Sequence, residues 1–110
     1  MQPLKTSIEF VNHASVLVSY AGTNILTDPW YSGPAFHNGW NLLVETSDEK
    51  IITLLERVTH IWISHEHPDH FSIKFFKTHK ELIKKRNIEI LFQKNDDKRV
   101  VHFLNNEGFR

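Results

Sequence analysis

The densest chemistry in this 110-residue chain lies in the run His65-Glu66-His67-Pro68-Asp69-His70, which packs three of its eight histidines into six residues. Imidazole nitrogen and carboxylate oxygen together suit zinc, iron or manganese. Residues two apart in an extended segment point the same way. His65 and His67 can therefore aim two rings at one ion, and Pro68 helps by disfavouring helical geometry at His67. Asp69 and His70 follow a change of direction and can reach a second position nearby. A pair of ions acidifies a shared water to hydroxide at neutral pH and polarises a substrate carbonyl or phosphoryl oxygen. Asp69 is the expected catalytic carboxylate, since it can bind one ion and accept a hydrogen bond from that hydroxide. Glu66 alternates with the ligands and is expected to point away. A solitary histidine is usually surface decoration or a satisfied core group. Three of them with an aspartate, placed between a strand and a helix, fit that bland reading poorly.

The elements around the run follow from pattern. Ser7 to Val11 and Ser15 to Tyr20 are rich in β-branched and aromatic residues and read as strands. Ala21-Gly22-Thr23-Asn24 signals a turn into a third strand, Asn24 to Thr27, closed by Asp28-Pro29. Residues 29–46 form a long loop with several aromatics. Thr46 and Glu49 fit a capping box for a helix from about Ser47 to Arg57, with Ile51, Ile52, Leu54 and Leu55 on one broad face. Thr59 to Ser64 reads as a buried strand that delivers the metal run at its carboxyl end, where ligands bind in α/β regions. Ser72 can cap one helix to about Arg86, with Ile73, Phe76 and Ile83 as its buried stripe. Ile88 to Phe92 is a further strand. Asn95, Asp96 and Asp97 offer caps for a last helix, about Lys98 to Asn105, with Gly108 as its stop. The strand–helix–strand order of the second half implies a parallel crossover.

Composition bounds the rest. The chain is 40% hydrophobic and 24% charged, as expected of one domain over residues 1–110. Lys plus Arg equals Asp plus Glu at 13 each, so no electrostatic footprint for nucleic acid or an anionic membrane exists. Lys84-Lys85-Arg86 reads as a solvated helix end that complements the helix dipole. No apolar run approaches the roughly 20 residues of a membrane span. There is no cysteine, which excludes disulfides, thiolate metal sites and cysteine nucleophiles among these residues and fits a cytoplasmic protein.

At His65, His67, Asp69 and His70 the sequence resembles the metallo-β-lactamase superfamily, whose signature is His-x-His-x-Asp-His. The early meander and the aspartate in Leu26-Thr27-Asp28-Pro29-Trp30 fit as well. The resemblance implies an α+β, or α/β, architecture: the N-terminal half of an αββα sandwich, a β-meander followed by α-β-α-β-α. It implies that Asp28 supports the metal loop from behind; a simple turn before Pro29 is the alternative. Asn12-His13-Ala14-Ser15-Val16-Leu17-Val18 and the stretch from Asp28 to Trp40 look like the branch holding the CMP-N-acetylneuraminate hydroxylase-like proteins and relatives of the ascorbate-phosphate lactonases. There the residue at the position of His13 lies near the site, though His13 can equally cap a turn. Trp30, Tyr31, Phe36, His37 and Trp40 either line a substrate pocket or anchor the loop by burying aromatic surface. In the family the later half supplies further ligands. His79 and His102, the histidines after the run, do not fall at strand ends and are not taken as ligands.

The function these residues imply is metal-dependent hydrolysis of a small-molecule ester, lactone, phosphodiester or amide. Zn2+ is the first expectation, as one or two ions, with Fe or Mn as alternatives. A metal-binding or interaction module without turnover, or an inactive remnant, is the competing reading, and membership of a CMP-sialic-acid hydroxylase-like system is another. That hydroxylase resembles a Rieske protein fused to this fold, which needs Cys and His ligands; with no cysteine, oxygenase chemistry by this chain is not expected. A half-sandwich would expose an apolar sheet face and favour a homo-oligomer or a missing C-terminal half.

Overall fold

A computed structural model describes residues 6–93 and 98–109. Five strands form one mixed sheet in sequential order: β1 (Thr6–Asn12), β2 (Ser15–Tyr20), β3 (Thr23–Thr27), β4 (His60–Ile63) and β5 (Glu89–Phe92). The first three pair antiparallel, and β3–β4 and β4–β5 pair parallel. The meander and the parallel crossover expected from the sequence are both present. Helix α1 (Asp48–Leu55) links β3 to β4. Helices α2 (Ile73–Thr78) and α3 (Lys80–Lys85) link β4 to β5, and α4 (Arg99–Asn106) follows.

One face of the sheet carries the core. Leu17, Leu26, Ile61 and Ile90 lie side by side across β2 to β5. Ile51, Leu54 and Leu55 of α1, Phe75 and Phe76 of α2, Ile83 of α3 and Leu104 of α4 belong to the same core cluster. Each such side chain, fully buried, contributes about 1.5–3 kcal/mol. The opposite face is also apolar in pattern. Phe10, Val16, Trp62 and Leu91 share one cross-strand row with Thr27, and Ile8, Val18 and Ile25 share the next. This face is open: Ile8 is 71% and Phe10 68% exposed.

Three local expectations change. Thr46 does not cap α1. Ser47 does, accepting from the Lys50 amide at 3.2 Å, while Thr46 Oγ1 accepts from Asn12 instead. The single helix expected from Ser72 to Arg86 is broken at His79, whose backbone leaves the helical region at φ −106°, ψ 16°. The buried His79 ring packs on Phe75 and faces Asp48, so a tertiary contact overrides local helix preference. Ile73 is 48% exposed, and Phe75 takes its expected place in the core beside Phe76. The Asn95, Asp96 and Asp97 caps lie outside the described residues. Gly108, at φ +81°, does stop α4, with the Phe109 amide bonding back to Leu104.

Candidate metal centre

The candidate residues converge at the carboxyl ends of β3 and β4. Asp28 ends β3 in a left-handed conformation, φ +36°, and its amide still pairs with Trp62 of β4 at 2.9 Å. The bend turns its carboxylate onto the loop after β4. Oδ1 accepts from the Ser64 amide at 2.7 Å, and Oδ2 accepts from Ser64 Oγ at 2.8 Å. Oδ2 also meets His70 Nδ1 at 2.9 Å. The loop itself turns tightly, with the His70 and Phe71 amides both bonding to His67 carbonyl. Phe71 is buried against Phe76 and Phe103 and pins the loop to the core.

This network places a proton on Nδ1 of two imidazoles. A carboxylate only accepts, so His70 Nδ1 must carry a proton. The single Ser64 hydroxyl proton goes to Asp28. Ser64 Oγ therefore accepts from His65 Nδ1, 2.9 Å away. As neutral rings, His65 and His70 then present an unprotonated Nε2, the form that binds a metal. Ser64 was not legible as a site residue; its position directly before His65 was the available signal.

Two overlapping groups of potential ligands result. His65, His67 and Asp69 form one, and His13, Asp69 and His70 the other, with the ligand atoms of each within 4.8 Å of one another. His13 Nε2 and His70 Nε2 lie 3.1 and 3.2 Å from Asp69 Oδ2. Asp69 is buried, and its Oδ1 has no hydrogen-bond partner among the described residues. Leaving a buried carboxylate oxygen unsatisfied is costly, and a cation beside it removes the cost. The donor set, imidazoles around one buried carboxylate, fits zinc or a similar transition metal. Glu66 belongs to neither group.

The aromatic residues divide. Trp30 and Tyr31 are buried at 2% and 1% exposure, so they anchor the loop. Tyr31 shares a 2.7 Å hydrogen bond with the buried Ser15, and burial pushes its phenol pKa well up. Phe36 and Trp40 are partly exposed and contact each other, and they also touch His67 and His13 respectively. They form a rim over the centre. His37 is exposed at the tip of that turn, between Phe36 and Asn38, all three at positive φ. A cavity of about 370 Å³ bounded by Tyr31, Asp48, Lys74 and His79 lies on the helix side and includes none of the candidate ligands. His79 is buried there and His102 is exposed on α4, and neither belongs to either ligand group.

The fold and this loop define a class. Residues 7–108 match the family model described as the beta-lactamase superfamily domain, and the chain belongs to that family. Among individual proteins it is similar to the cytidine monophosphate-N-acetylneuraminic acid hydroxylase of Danio rerio, 31% identical over 108 residues, covering 98% of this chain and 18% of that protein. The Sus scrofa hydroxylase is 34% identical over 96 residues, covering 87% of this chain and 21% of that protein. The human protein, described as an inactive hydroxylase, is 32% identical over 104 residues, covering 94% and 20%. The chain thus spans about a fifth of the length of these relatives. A solved structure described as a possible metal-dependent hydrolase from Veillonella parvula DSM 2008 shares the fold, with a TM-score of 0.60 at 22% identity over 97% of this chain and 40% of that one. No helix among the described residues is long and apolar enough to cross a membrane.

Proposed function

We propose that this chain carries the metal-binding loop of a hydrolase, in which His65, His67, Asp69 and His70 hold one or two zinc ions. The buried Asp69 Oδ1, without a hydrogen-bond partner among the described residues, grouped with the His65 and His67 imidazoles, is the observation that carries the reading. When bound, such an ion polarises an ester, lactone, phosphodiester or amide oxygen and acidifies water. The chain's own residues orient it. Asp28 and Ser64 hold the imidazole rings, and Asp69 contributes negative charge where a water proton must be accepted. Phe36 and Trp40 present apolar surface to a small-molecule substrate entering beside His67. Iron or manganese would suit the same donors.

Elemental analysis of the purified chain tests the proposal, beside a variant with His65 and His67 changed to Ala. Bound zinc in the parent and its loss in the variant is the expected result. A metal-free parent that also fails to take up added zinc overturns the proposal. Turnover is tested on nitrophenyl esters, lactones and phosphodiesters; metal uptake with no hydrolysis of any of these would leave a binding module in place of an enzyme.

A further inference from the structure

We infer that His13, on the two-residue turn between β1 and β2, is itself a metal ligand, completing a second ion position with Asp69 and His70. The inference rests on the metal-centre proposal and extends it, because the loop after β4 alone gives the second position only Asp69 and His70.

Four observations carry it. First, the separations suit a shared ion. Ligand atoms held tetrahedrally at zinc distances lie about 3.3 Å apart, and Asp69 Oδ2 sits 3.1 Å from His13 Nε2 and 3.2 Å from His70 Nε2. Second, the ring is positioned from several sides. Trp30 meets it edge to face at 5.1 Å, and the His13 amide bonds to Asn12 Oδ1 at 2.9 Å. Asn12 in turn donates to Val44 carbonyl and Thr46 Oγ1, which ties the turn to the segment before α1. Third, His13 holds its place at φ +34°, a region where a side chain normally costs about 1 kcal/mol and glycine or asparagine is preferred. Such backbone outliers gather at functional sites. Fourth, Asp69 belongs to both ligand groups, so one carboxylate can bridge two positions.

The competing role for His13 is a hydrogen-bond donor that merely steadies Asp69. Zinc titration of the full chain at fixed pH separates the two, read as ions bound per chain by calorimetry and as the protonation of His13 Nε2 by nitrogen-15 NMR. The expected result is two zinc ions per chain and loss of the Nε2 proton on loading. His13→Gly, which suits the positive φ, should bind one ion. His13→Gln restores a donor to Asp69 but is a poor zinc ligand, so it too should bind one. Two ions retained in His13→Gly, or restored by His13→Gln, overturns the inference, as does a protonated Nε2 in the loaded chain. A parent that binds a single ion, with His65 and His67 required, overturns it while leaving the metal centre standing. A parent that binds none overturns both.

Discussion

Replacing Asp28 by Asn is the sharpest probe of how the centre is held. The change is nearly isosteric, and asparagine tolerates the left-handed backbone at least as well as aspartate. What changes is the direction of hydrogen bonding. Asp28 Oδ2 accepts from Ser64 Oγ and His70 Nδ1. An amide nitrogen at that position donates to both. His70 must then accept at Nδ1 and carry its proton on Nε2, which no longer binds metal. Ser64 is freed to donate to His65 Nδ1, moving that proton to Nε2 as well. Flipping the amide avoids this but sets its NH2 against the Ser64 amide. That leaves a buried donor unsatisfied, at about 1–3 kcal/mol. Loss of an outer hydrogen-bond partner typically weakens metal affinity about 10–100-fold, equivalent to about 1.4–2.7 kcal/mol. Where the amide flips, the variant should melt lower in chelator by several degrees, at about 4–8 °C per kcal/mol for a chain near this size; where the rings change tautomer, it should keep its melting point in chelator and gain less from added zinc. Paired calorimetric titrations and melts with and without zinc measure both effects. Unchanged zinc affinity together with an unchanged melting point in chelator would refute the tautomer argument.

Three other outcomes follow. Burial holds the His79 pKa below its ordinary value, against a smaller upward pull from Asp48. The stability carried by its neutral ring is complete above about pH 6.5, and is lost as pH falls through the lower folded value. Urea melts across this range should show His79→Gln losing less stability on acidification than the parent. Arg86 Nη1 donates to the carbonyls of Leu55 and Val58, tying the end of α3 to the end of α1. Arg86→Ala should cost about 1.5–3 kcal/mol in urea unfolding. Trp40 is 51% exposed on the rim, so Trp40→Ala should leave stability within about 0.5 kcal/mol while raising KM for a hydrolysed substrate more than it lowers kcat.

The metal run was legible because its chemistry is local: four candidate ligands in six residues need no tertiary information. Asp28 was legible as an aspartate at a strand end. Other features depended on contacts between distant segments. The break at His79, whose buried ring lies on Phe75 and 3.9 Å from Asp48 of α1, is not encoded by helix periodicity in Ser72 to Arg86. Thr46 and Ser47 are both competent caps, and Asn12, 34 residues away, decides between them by occupying Thr46. The loop aromatics look alike in sequence, yet Trp30 and Tyr31 are buried while Phe36 and Trp40 meet solvent. Ser7 to Val11 read as a strand, but nothing local says that the face shared by Ile8 and Phe10 is the open one.

The sequential order of the strands has a consequence for biogenesis. Every strand pairs with the one made just before it, so the sheet can grow in the direction of synthesis. The turn bearing His13 and the β3 end bearing Asp28 are translated before Ser64 to His70. The ligand loop thus emerges from the ribosome onto a template already laid down, and ion capture can accompany the pairing of β4.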